Sequence, residues 1–166
     1  MQNTTKTLLL IRHAEAQEAH YHEPDIKRTL TQHGIRSAAK LGEHLKQQNC
    51  VFDHLMVSTA FRTEMTAKLI AEQFDWPMNK IEYSEELYNA SPRVLLQSIC
   101  SAPEEVNTLA VVAHYPGLPH LAEVLTNKEM PFLQPAGVIK ISLEVDHWQE
   151  VSEGTGTLIE VINELS

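Results

Sequence analysis

Short, continuous apolar runs alternate with helix-period stripes along this chain, and that alternation restricts its fold more than any other feature. Thr7 to Ile11 (TLLLI) form the first run, and the polar stretch EAQEAHYHEPDIKR behind it has no period and reads as a loop. Thr31 then stands as a helix N-cap between Leu30 and Ile35 in staple positions. Ile35, Ala38, Ala39, Leu41, Gly42 and Leu45 trace one helical face. HLMVS (54–58) is a second strand, AFRTEMTAKLIAEQF (60–74) a second helix stopped at Asp75-Trp76-Pro77, and IEYS (81–84) a weak strand. Ser91 and Pro92 supply the cap and first position of a third helix. TLAVVAH (108–114) is the strongest strand, GLPHLAEVLT (117–126) a fourth helix, and GVIKISLEV and GTLIEVI are two closing strands.

Strand and helix in alternation predict an α/β fold: one three-layer domain over residues 1–166, with a mostly parallel central sheet and helices on both faces. Strands that are apolar throughout, such as the one holding Val111 and Val112, suit burial on both sides. Only one weak strand and one helix lie between Phe74 and Thr108, which leaves no large lid insertion.

Composition narrows the partners. With 43% hydrophobic and 21% charged residues, a chain of 166 residues can bury a real core. Its formal charge of −9 repels nucleic-acid phosphates and anionic membranes, so neither is expected as a partner. Cys50 and Cys100 form no disulfide framework and lack basic neighbours that would activate them. MQNTTK has no signal-peptide pattern, and no apolar run reaches membrane-spanning length. A soluble cytoplasmic domain is expected.

Chemistry concentrates at the strand ends. In open α/β sheets, ligands bind beyond the carboxyl ends of the strands. The first strand runs into Arg12-His13, the second leads through Ser58 to Arg62, and the TLAVVA strand ends at His114. Two arginines and two histidines on one edge make an anion pocket, because guanidinium forks match phosphate oxygens. Arg62 falls in the first turn of its helix, where free N–H groups add to anion attraction. No Gly-rich phosphate loop or paired-carboxylate metal motif accompanies them, so protein charge alone must neutralise a phosphoryl group. A neutral imidazole in such a pocket can attack phosphorus.

The motifs also resemble a known family. LLLIRHAEA resembles the Arg-His-Gly signature of the histidine phosphatase superfamily, which includes the phosphoglycerate mutases. LMVSTAFRTEMTA is similar to that family's strand and Arg-x-x-x-Thr segment, and LAVVAHYP to its second-histidine strand. KRTLTQHG, EELYNAS and AHYPGL resemble the SixA-type phosphohistidine phosphatases in particular. The resemblance covers nearly the whole chain and implies a phosphoglycerate mutase-like fold. It implies His13 as the phosphorylated nucleophile, Arg12, Arg62 and His114 as the phosphate cradle, and Arg28 as a basic residue at the rim. Phosphomonoesterase members use a Glu after the third strand as general acid. Glu86 lies in that segment, with Glu85 and Asn89 close by. Ala14 replaces the usual Gly, and Thr59 the usual Pro after Ser58.

The resemblance further implies a phosphatase without metal or other cofactor. Its substrate would be a phosphorylated protein, such as a histidine-containing phosphotransfer domain, or a small phosphorylated molecule. A small-molecule phosphomonoesterase or mutase is the rival enzyme, and a non-catalytic phosphate-binding module the non-enzyme alternative. Simpler roles compete at each position: Arg62 could be a solvated helix residue paired with Glu64, and Arg28 a surface charge. His20, His22 and Asp25 suggest a metal, but an irregular polar loop gives such ligands no supporting order.

Overall fold

The computed structural model describes residues 5–163 and 165. Six strands form one sheet: β1 (Lys6–Arg12), β2 (His54–Ser58), β3 (Glu82–Ser84), β4 (Thr108–Ala113), β5 (Val138–Leu143) and β6 (Gly156–Ile162). Four helices accompany them: α1 (Gln32–Gln47), α2 (Phe61–Gln73), α3 (Pro92–Cys100) and α4 (Gly117–Thr126). The sheet order is β3-β2-β4-β1-β5-β6. The first four are mutually parallel, while β5 runs antiparallel to β1 and β6 antiparallel to β5. The expected mostly parallel α/β domain is what forms, with an antiparallel pair closing one side.

Alternate residues of β1 explain the three layers. Leu8 and Leu10 pack with Val111, Leu95, Leu118 and Leu121 on the α3–α4 side. Leu9 and Ile11 pack with Val57, Val112, Leu41 and Ile70 on the α1–α2 side. All twelve are at most 1% exposed. Burial of each such side chain contributes about 1.5–3 kcal/mol. The central position of β1 is therefore the consequence of an apolar residue at every step from Leu8 to Ile11.

Caps set the helix starts as the sequence indicates. Thr31 accepts from the Gly34 N–H, and Ser91 from that of Val94 with Pro92 in the first turn. The loop between β1 and α1 is more ordered than its composition suggests. It holds a 3-10 turn at Asp25–Lys27 and an isolated bridge between Ala16 and Leu30. A Cβ on Gly34 would lie 2.2 Å from the Glu15 carbonyl oxygen, so this loop and the start of α1 fit only without a side chain there. Among the described residues, no helix is long and apolar enough to cross a membrane.

Candidate active site

Strand register brings the two histidines together. Arg12 of β1 pairs with Ala113 of β4, and the next N–H, that of His13, donates to the Ala113 carbonyl at 3.2 Å. His13 and His114 thus leave adjacent strands side by side, with ring centroids 5.5 Å apart. β2 lies on the other side of β4, so Ser58 at its end reaches His114: Ser58 Oγ and His114 Nε2 are 2.8 Å apart.

Backbone contacts orient His13. Its Nδ1–H donates to the Ala14 carbonyl at 2.7 Å, which leaves the Nε2 lone pair for other work. The Ala14 N–H donates to Thr66 Oγ1 of α2 at 2.9 Å, so the helix fixes the residue that fixes the histidine. Ala14 is not among the residues with positive φ, so alanine meets no backbone strain here. Burial first, then the charges of Arg62, Arg12 and Arg28, push the His13 pKa down to about 4 against the raising effect of the Ala14 contact. Burial, followed by Arg62 and His13, lowers His114 to about 3. Both rings are neutral near pH 7.

The guanidinium groups are held by the protein and still have capacity. Arg12 donates from one terminal nitrogen to the Leu133 carbonyl at 2.8 Å, with its guanidinium carbon 4.9 Å from the Tyr115 ring centre. Arg62, only 3% exposed, donates to the Asp25 carbonyl and to Asp25 Oδ2, both at 3.0 Å. Arg62 Nε, Arg12 Nε and His114 Nδ1 are buried and lack a hydrogen-bond partner among the described residues. Burying an unpaired N–H costs about 1–3 kcal/mol. When Ser58 donates to His114 Nε2, Nδ1 carries the ring proton, and all three atoms are donors. Such a set suits an anion with several acceptor oxygens.

The sequence-derived residues separate into two groups. Arg12, His13, Arg62 and His114 converge as expected. Arg28 joins at the rim: its side chain is 26% exposed, bonds Asp25 Oδ1 at 3.1 Å, and its charge is felt by His13. Glu86 does not join them. It is exposed on the 3-10 turn Glu85–Leu87 and lines a separate cavity with Glu82, Ser84 and Gln97. That turn points Leu87 into the core and Tyr88 toward His114, at 5.5 Å between ring centres.

Two expectations about neighbours change. The carboxylate on Arg62 is Asp25, 37 residues upstream, whereas Glu64 pairs with Lys68. Asp25, weighed from the sequence only beside two histidines, instead receives Arg62, Arg28 and the Tyr88 hydroxyl. The Tyr88 hydrogen bond is the largest cause holding its carboxyl down to about 2. Ser58, Thr66, Asp25 and Tyr88 are the residues of the site to which the sequence alone assigned no role in the pocket. Three carried a signal: Ser58 ends the second strand, Thr66 is the threonine of the Arg-x-x-x-Thr segment, and Tyr88 lies inside EELYNAS.

The ends of β1 and β4 and the first turn of α2 thus bring two arginines and two neutral histidines together at one edge of an open α/β sheet. The family model of the histidine phosphatase superfamily (branch 1) matches residues 8–91, and the chain belongs to that superfamily. An uncharacterized protein of Mycobacterium tuberculosis is 30% identical over 144 residues, covering 81% of this chain and 88% of its own. A structure assigned to the phosphohistidine phosphatase SixA of Nakamurella multipartitia superimposes with a TM-score of 0.84 at 24% identity, covering 98% of both chains. The protein histidine phosphatase SixA complexed with tungstate gives 0.81 at 20% identity, over 95% of this chain and 96% of that one.

Proposed function

We propose that this protein is a phosphatase that removes the phosphoryl group from phosphohistidine in another protein, through a covalent intermediate on His13. The observation that carries the reading is the His13 tautomer: Nδ1 is committed to the Ala14 carbonyl, so Nε2 is an unprotonated nucleophile beside three buried, unpaired donors. In the first step Nε2 attacks phosphorus, the P–N bond to the substrate imidazole breaks, and that imidazole departs with its leaving nitrogen protonated by solvent water. In the second, water attacks phosphorus, the bond to Nε2 breaks, and phosphate departs. Arg12, Arg62 and His114 Nδ1–H stabilise the charge that builds on the transferring oxygens.

The position of Glu86 supports a P–N substrate. A carboxylic acid outside the pocket cannot protonate an alkoxide, whereas an imidazole leaves readily and is easily protonated near neutral pH. The short connection from β3 to β4, a 3-10 turn and the nine residues of α3, leaves the pocket open to a side chain on another protein. The fold likeness to SixA proteins supports the same substrate class. The unpaired Cys50 and Cys100 support a reducing cytoplasmic setting. No cofactor or metal enters this scheme.

The test is kcat/KM on a phosphohistidine-bearing protein against phosphoserine and sugar phosphates, with trapping of labelled phosphate on the enzyme. The expected result is preference for phosphohistidine and an acid-labile, base-stable label that His13→Ala lacks. A preference of about tenfold for a sugar phosphate, roughly 1.4 kcal/mol, would replace this reading with the small-molecule one. No turnover of any compound would leave a phosphate-binding module.

A further inference from the structure

The mouth of the pocket carries two aromatic rings that the scheme above does not use. Tyr115 directly follows His114, and Phe132 lies in the segment before β5, immediately ahead of Leu133, whose carbonyl receives Arg12. The rings meet edge to face at 5.2 Å and 64°. Both lie against the same guanidinium, with the Arg12 carbon 4.9 Å from the Tyr115 ring centre and 5.7 Å from that of Phe132. They are nevertheless exposed, Tyr115 by 41% and Phe132 by 59%. Across the pocket, the Tyr88 ring stands 5.8 Å from the Arg62 guanidinium carbon and 5.5 Å from His114.

Holding Arg12 would not by itself require leaving so much ring surface in water, since exposed aromatic area gives up the free energy its burial would supply. A group whose phosphoryl oxygens sit on Arg12 can lay its leaving portion against the exposed faces of these rings. We infer that Tyr115 and Phe132 form an aromatic lip that stacks the planar ring to which the phosphoryl group is bonded, so that ring-borne phosphoryl groups are selected over alkyl ones. A flat ring bonded directly to phosphorus satisfies the pocket and the lip together. A flexible alkyl chain presents no face to stack. The inference rests on the pocket as a phosphoryl site and narrows its substrate class to one with a planar leaving group.

Phosphonates test this without any chemical step, because their P–C bond is not hydrolysed. Binding of phenylphosphonate and methylphosphonate, of equal charge type, is measured by calorimetry on the full chain. The wild type should bind the phenyl compound about tenfold more tightly, the scale of one aromatic contact with its buried area. Phe132→Ala should weaken phenylphosphonate more than methylphosphonate and so bring that ratio close to one, while Phe132→Tyr should restore it. The exposure of Phe132 makes its truncation tolerable to the core.

A wild-type ratio near one overturns the lip. So does an equal loss for both compounds in Phe132→Ala, which would mean that the ring only steadies Arg12. Absence of binding by either phosphonate overturns the pocket on which the lip rests. Failure of the phosphohistidine reading shows elsewhere, in the kcat/KM comparison, and leaves the phosphonate ratio intact.

Discussion

Acid titration of His13 probes the pocket most directly. An imidazole with the ordinary midpoint of 6.5 is about nine-tenths protonated at pH 5.5. One held at about 4 is still about 97% neutral there, so the nucleophile should survive some two pH units below its usual limit. The charged form of this ring is therefore disfavoured in the folded chain. Burial supplies the largest part, followed among the charges by Arg62, Arg12 and Arg28. The energy also appears in stability. Between the unfolded midpoint of 6.5 and the folded one near 4, the unfolded chain holds more protons, so stability falls as pH drops through that window. Above it, this group makes no difference. His114 lies 5.5 Å away with a midpoint near 3, so the first proton taken up belongs to the pair. The assay is NMR titration of the imidazole Cε1–H signals, assigned with His13→Ala. The first midpoint of the pair should lie near 4, and Arg62→Ala should move it upward yet leave it below 6.5, because burial remains. A wild-type midpoint at 6.5 would refute both the burial and the charge arguments.

Arg62→Ala removes a charge-assisted partner worth about 1.5–3 kcal/mol, so vanadate inhibition should weaken by roughly ten- to a hundredfold; unchanged inhibition would put Arg62 outside the pocket. Ser58→Ala deletes the hydroxyl on His114 Nε2, about 1 kcal/mol, and should slow turnover about fivefold without altering the circular dichroism spectrum. Gly34→Ala forces a methyl group to within 2.2 Å of the Glu15 carbonyl oxygen and should lower the Tm by several degrees in calorimetry, from overpacking of about 1–3 kcal/mol.

What the sequence by itself determined is local in origin. The apolar runs place β1, β2 and β4 because a strand buried on both faces needs an apolar residue at every position, and Thr31, Ser91 and Pro92 start their helices through contacts within one turn. Arg12, His13, Arg62 and His114 were legible for a related reason: three lie at or just after a strand end, Arg62 lies in the first turn of the helix after β2, and the ends of parallel strands point one way. The antiparallel course of β5 and β6 was not legible, since strand period carries no direction. Glu86 could be read into the site from its segment, yet one 3-10 turn decides whether that side chain or Tyr88 faces His114. Asp25 meets Arg62 across 37 residues of sequence, and Ser58 meets His114 across 56. Both contacts depend on strand register and loop closure, and no pattern within a few residues can state where a distant part of the chain will come to rest.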